Sequence, residues 1–384
     1  MIDEPARRAP REWGGIRAPN LLLDERQKVM GGNAPRMRTS LDAVPVFEAG
    51  VSGFGPVKHR MNFNENPFGP LPSVLDVVRE TAAGLNRYPD MLNSSLIETI
   101  AEHFGVAQES VAVGGGGAAV LQQLLLAAVD QGDEVVFPWR SFEAYPILTS
   151  VVGARQVRVP LSGVDQDLES MLGAITDRTR LVFLCNPNNP TSTAIDHDAL
   201  DGFIDRAPEH VLIVLDEAYR EFVRAPEVPD GIRRYGDRPN VAVLRTFSKA
   251  YGLAGLRVAF TVAHPTVARA VRKTALPFGV TRLAERAAQA SLRASDELFA
   301  RVETIVKERE RMESTLRAQG WPVARSETNF LWLPMKARSA DFGEACRRDG
   351  VLVRAFPDEG VRITVDEERA NDIVLSIAQE FARS

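Results

Sequence analysis

Cysteine is nearly absent: the 384 residues hold two, Cys185 and Cys346, far apart and in no metal-like spacing. A disulfide framework is therefore excluded as the basis of the fold, no metal centre is expected, and a reducing, cytoplasmic setting is the default. Positive charge is not in excess either. Lys and Arg number 46 against 51 Asp and Glu, a formal net charge of −5, which leaves no basic surface for nucleic acid. No apolar stretch approaches the ~20 residues of a membrane-spanning helix, and the N-terminus lacks the apolar centre of a secretory signal. The remainder, 45% hydrophobic and 25% charged, is ordinary for a globular enzyme. A chain of this length exceeds one typical core and is expected to form two lobes.

Residues 1–36 are rich in Pro, Arg and Gly without a sustained period and read as an arm outside the core. The polar run Asn62 to Pro70 is turn chemistry, and Pro72 to Leu85 and Leu96 to Phe104 have helical apolar spacing. Val111 to Val113 then reads as a strand, Gly114 to Gly117 as a loop, and Ala118 to Val129 as an apolar helix. Such a loop either turns tightly for its own sake or aims backbone N–H groups at an anion. The aromatic cluster Trp139, Phe142 and Tyr145 follows the strand Glu134 to Phe137, suited either to stacking on a planar ring or to filling core. Apolar strands at Leu181 to Leu184 and Val211 to Leu215 end in Asn186-Pro187-Asn188-Asn189-Pro190-Thr191 and in Asp216-Glu217-Ala218-Tyr219. Acids and amides at the C-terminal tips of parallel strands stand at the ligand crevice of an open α/β sheet.

The stretch from Val241 to Phe260 organises the rest. A buried strand, Val241 to Leu244, stops at Thr246, Ser248 and Lys249, with Arg257 beyond two glycines. Taken alone this is a solvated loop or a reactive amine beside a phosphate cradle, since hydroxyls and a guanidinium are phosphate-binding groups. The second option points to pyridoxal phosphate (PLP). Alternating strands and helices over about 95–280 argue an α/β fold with a mostly parallel sheet between helices. From Leu283 the pattern changes to one long helix reaching Gln319, then short strands and a final helix, a smaller α+β lobe.

Taken together, Asn64 to Pro70, Arg87-Tyr88-Pro89-Asp90, Trp139 to Tyr145, Asn186 to Thr191, Asp216 to Tyr219, Arg245 to Arg257, Thr328-Asn329-Phe330 and Val361 to Val365 resemble the fold-type-I PLP aminotransferases. The resemblance is to the branch of histidinol-phosphate and aromatic amino acid (phenylalanine) aminotransferases. It implies a large PLP-binding domain at 60–282, with 60–85 packing partly on the small domain. It further implies an arm at 1–59 and a small domain at 283–384. On the same basis Lys249 would carry PLP covalently and move the substrate's proton, Asp216 would pair with the ring nitrogen, and Asn189 and Tyr219 would bond the ring's 3-oxygen. Phe142 would stack on the ring. Thr246, Ser248, Arg257 and the backbone of Gly117 and Ala118 would hold the phosphate. Tyr88 would reach the neighbouring subunit's phosphate, making the enzyme a homodimer with shared sites. Arg362 would clamp the substrate carboxylate, with Asn329 and Asn66 beside it and Arg354 at the distal end.

Two features depart from that pattern: the loop lacks a side-chain hydroxyl, and Thr191-Ser192-Thr193 stands where Thr-Gly is more frequent. The implied reaction is exchange of an amino group between an aromatic L-amino acid, or histidinol phosphate, and a 2-oxo acid such as 2-oxoglutarate. Alternatives on the same fold are a histidinol-phosphate aminotransferase proper, and a PLP-dependent decarboxylase or elimination enzyme. A DNA-binding regulator of this fold would need an added domain, for which 1–36 is too short.

Overall fold

The computed structural model describes residues 37–42, 44 and 57–383; the arm expected at 1–36 lies outside them. In chain order the strands are β1 His59–Met61, β2 Val111–Gly114, β3 Glu134–Trp139, β4 Arg155–Pro160, β5 Thr179–Cys185 and β6 Leu212–Asp216. β7 Val241–Thr246, β8 Ala259–Ala263, β9 Phe330–Leu333, β10 Val351–Phe356 and β11 Gly360–Thr364 follow. Seven of these form one sheet, ordered β2-β8-β7-β6-β5-β3-β4. β4, β3, β5, β6 and β7 are mutually parallel, and only β8 runs against its neighbours β2 and β7.

Helices cover both faces of this sheet, which is why β6 and β7 are buried at every position and almost purely apolar. Apolar clusters built on Val135, Phe137, Leu181, Phe183 and Val214 on one side, and on Val136, Val182, Leu184, Ile213 and Val243 on the other, follow from the two-residue alternation of each strand. Side-chain caps fix several helix starts: Asp196 accepts from the Ala199 N–H at 2.8 Å, and Thr281 Oγ1 from the Ala284 N–H at 3.1 Å. No helix among the described residues is long and apolar enough to cross a membrane.

The parallel arrangement gathers the ends of β2, β3, β5, β6 and β7 on one edge. The segments singled out in the sequence are the continuations of those ends.

The second sheet is ordered β1-β10-β11-β9. β1 carries no signal in the sequence; it pairs in parallel with β10, His59 opposite Val351, so residues that precede the larger sheet complete the smaller one. The long helix expected from Leu283 is two helices, Arg282–Arg293 and Ser295–Ala318. Ala294, at φ −99° and ψ 31°, breaks them apart. Alanine carries no local stop signal, and the next helix starts at once with Asp296 and Glu297 in its first turn, where acids complement the helix dipole. Buried Arg309 on the second helix donates through Nη1 to the carbonyls of Phe222 and Thr328, at 3.0 and 2.9 Å, tying the two sheets' loops together.

Candidate active site

β7 delivers Thr246, Ser248 and Lys249 into a turn at the sheet edge. Thr246 Oγ1 donates to Ser248 Oγ at 3.1 Å, and Arg257 Nη1 reaches the same Ser248 oxygen at 3.4 Å. Facing them, the helix Gly117–Ala128 begins directly after Gly116, which has φ +96°. A Cβ on Gly116 would overlap the Arg257 guanidinium. Glycine is required there both for its left-handed backbone and for the close approach of the cation. The helix starts at Gly117, one residue before Ala118, so the N–H groups of both lie in its unsatisfied first turn. Two hydroxyls, one guanidinium and a helix N-terminus thus converge on one small volume, a donor set suited to a phosphate dianion.

Lys249 Nζ donates to the Phe63 carbonyl at 2.8 Å. Burial lowers its pKa from 10.5 to about 7, with the Arg362 charge the next contribution and Arg257 a smaller one. Arg362 outranks the nearer-in-sequence Arg257 because the fold brings β11 against the end of β7. Asp216, at the tip of β6, is 3% exposed, and burial pushes its carboxyl up to about 6. Its Oδ2 accepts from the hydroxyl of Tyr145 at 2.8 Å. That hydrogen bond and the N–H of Ala218 oppose the burial effect. The sequence shows Tyr145 only as one of an aromatic cluster, because a phenol that reaches a strand 71 residues away leaves no local signal. Its ring also stacks on Phe183, centroids 4.4 Å apart. Phe142 stands edge-on to it at 5.6 Å.

Glu217, next to Asp216, points to the opposite face and pairs with buried Arg245 at 2.6 Å. This ion pair borders a separate cleft of about 360 Å³ lined also by Glu221, Asp230 and Tyr251. It anchors the strand tips from behind.

Of the three asparagines after β5, two hold the loop. Asn186 accepts from the Ile195 N–H at 2.8 Å, and Asn188 accepts from the Ser141 hydroxyl at 2.7 Å and donates to Thr191 Oγ1 at 2.8 Å. Asn189 is left for the site, where its Oδ1 accepts from Arg362 Nη1 at 2.5 Å. Tyr219 Oη accepts from Asn64 Nδ2 at 2.9 Å, and burial raises the phenol's pKa. Asn64 is further tied to Thr364 of β11. The run Asn62 to Pro70 is thus no mere connector. Asn329 Nδ2 donates to the Asn64 carbonyl at 3.2 Å, and Asn66 Nδ2 to the Ala250 carbonyl at 2.9 Å.

Arg362 also donates through Nη2 to the Asn62 carbonyl. Its Nε and Asn329 Oδ1 are buried without a hydrogen-bond partner among the described residues. Burial lowers the arginine's pKa to about 10. Arg354 stands opposite Arg362 across the β10–β11 ladder and is paired with Glu143 at 2.8 Å. Tyr88 lies apart from all these groups. It is 77% exposed, with its ring 4.6 Å from that of Phe278.

A lysine of lowered pKa, a buried acid one strand away and a phosphate cradle on the third side recur together in enzymes that use a covalently held PLP, and the chain does belong to such a family. Residues 57–376 match the model of aminotransferase class I and II, so the protein is a PLP-dependent aminotransferase. It is 53% identical over 357 residues to the aromatic amino acid aminotransferase of Streptomyces coelicolor, covering 92% of this chain and 99% of that one. Against the Mycobacterium avium protein of the same name it is 46% identical over 348 residues, covering 90% and 98%. Among solved structures, the histidinol-phosphate aminotransferase of Sinorhizobium meliloti in complex with PLP superposes with a TM-score of 0.82 at 29% identity, covering 91% and 98%.

The residues present fit that cofactor. The close approach of the Arg257 guanidinium to the helix N-terminus, which Gly116 permits, suits the phosphate, the buried Asp216 carboxyl suits a ring nitrogen, and Arg362 Nε and Asn329 Oδ1, unpartnered among the described residues, suit a substrate's carboxylate and amine side.

Proposed function

We propose that this aminotransferase exchanges the amino group of an aromatic L-amino acid, phenylalanine-like, with a 2-oxo acid such as 2-oxoglutarate. The observation that carries the reading is the meeting of Asp216 at the tip of β6 and Lys249 just past β7 with Arg362 from the middle of β11. The shared name of the relatives near 50% identity supports the aromatic donor.

In this reading PLP, when bound, supplies a sink for the electron pair released at the substrate's Cα. Asp216, ionised above about pH 6, pairs with the ring nitrogen and keeps it cationic. Asn189 and Tyr219 would hydrogen-bond the ring's 3-oxygen, and Phe142 would pack on the ring. Thr246, Ser248, Arg257, Gly117 and Ala118 hold the phosphate. Arg362 binds the substrate carboxylate as a planar fork, with Asn329 and Asn66 fixing its approach. That anchoring presents the Cα–H to Lys249 Nζ, whose lowered pKa makes it a neutral base above about pH 7.

A homodimer belongs to the proposal. Tyr88 lies among exposed apolar side chains, Leu85, Met91, Leu92 and Leu276, a patch that favours burial against a second copy and would carry Tyr88 to the partner's phosphate. The division into a large domain at 60–282 and a small one at 283–384 follows the two sheets except at β1, which pairs with β10, in keeping with 60–85 packing partly on the small domain; a cytoplasmic setting is proposed on two buried, unlinked cysteines. Incubation with phenylalanine and 2-oxoglutarate tests the reading. Phenylpyruvate and glutamate are expected in equal amounts; release of carbon dioxide instead would replace transamination by decarboxylation.

A further inference from the structure

Cross-strand pairing sets Arg354 directly opposite Arg362 on one face of the smaller sheet. Like charges at such a position repel, their Cβ atoms lying only ~5 Å apart. Glu143, from the start of the helix Ala144–Val152 on the other sheet, answers this by accepting from Arg354 Nη2 at 2.8 Å. The Arg354 guanidinium also lies 5.3 Å from the Phe356 ring. Arg140 stands the same distance from that ring and 4.4 Å from Trp139, and it too is matched with a glutamate, Glu359. The wall beyond Arg362 is therefore aromatic, and each of these two arginines has its own acid.

We infer that Glu143 is a specificity-determining residue: by neutralising Arg354 it shuts out substrates whose far end is a phosphate dianion and leaves the distal pocket to uncharged rings. The inference rests on the proposed aminotransferase reading, in which Arg362 takes the α-carboxylate. An aromatic side chain packed on this wall disturbs no ion pair. A phosphate drawn to Arg354 would sit beside the Glu143 carboxylate and would have to displace it, a like-charge juxtaposition that selects against the partner bringing it. A 2-oxo dicarboxylate acceptor brings a single distal charge, which the guanidinium edge not used by Glu143 can meet.

The test is the ratio of kcat/KM for histidinol phosphate to that for phenylalanine, measured with PLP-loaded enzyme. Because it is a ratio within one preparation, loss of active protein cancels. Glu143→Gln should raise it roughly tenfold, more at low salt than at high, as expected of a removed charge. Glu143→Ala should repeat that gain, Glu143→Asp should stay near wild type, and Glu143→Gln combined with Arg354→Gln should lose it. A ratio moved less than about twofold by both neutral variants, below what one charge in a partly buried site would do, overturns the assignment, as does a gain that survives without Arg354. A wild-type enzyme that prefers histidinol phosphate would overturn the aromatic reading itself, separately from any effect of Glu143.

Discussion

Replacing Asp216 by Asn should make the apoprotein more stable while removing its activity. The carboxyl is buried at 3% exposure and lifted from 3.8 to about 6. A raised carboxyl pKa means that the unfolded chain ionises more readily than the folded one. Folding therefore loses free energy as pH rises from about 4 to 6, and the loss stays constant above. Two pKa units correspond to about 3 kcal/mol, an upper bound because an amide must still find partners in the same space. The Tyr145 hydroxyl can turn to accept from the new amide as readily as it donates to the carboxylate. Urea unfolding of wild-type and Asp216→Asn apoproteins at equal concentration, at pH 4.5 and pH 8, reads the effect. The variant should gain little at pH 4.5 and two to three of those ~3 kcal/mol at pH 8. A variant no more stable at pH 8, or a gap that does not widen with pH, would refute the reasoning.

Three further outcomes follow from the same geometry. Gly117→Ser adds a hydroxyl to the anion cradle at a position where the nearest atom to a new Cβ is Leu244 Cδ2 at 3.8 Å. It should tighten PLP binding about fivefold, one net hydrogen bond, in a fluorescence titration of the apoprotein; unchanged affinity counts against the phosphate assignment. Ser192 sits at φ 66° with its buried hydroxyl unpartnered among the described residues, so Ser192→Gly should raise the unfolding free energy by about 1 kcal/mol in urea. The Lys249 amine titrates at about 7 in place of 10.5, becoming neutral above that value. The rate at which apoprotein takes up PLP should therefore climb through pH 7 and level off, whereas a climb continuing to pH 10 would mean an unperturbed lysine.

What could be read in the sequence was whatever is local. β5, β6 and β7 announce themselves because burial on both faces makes them continuous apolar runs, and the polar residues that end them name the site. Long-range pairings were out of reach. β1 is three residues long and takes its meaning from β10, some 290 positions later. The Tyr145–Asp216, Asn64–Tyr219 and Glu143–Arg354 contacts each join segments from different layers. The break at Ala294 carries no glycine or proline, so apolar spacing ran through it. The influence of Arg362 on Lys249 needed the second sheet to be docked against the first before it could be seen.

Lys249, and no other lysine, is assigned to the cofactor. Borohydride reduction of the PLP-loaded enzyme, followed by digestion and mass spectrometry, tests it most directly. One pyridoxyl group per chain is expected, on the peptide containing Lys249, and none on Lys28, Lys58, Lys273, Lys307 or Lys336. A pyridoxyl group fixed elsewhere, or on no lysine, would contradict it.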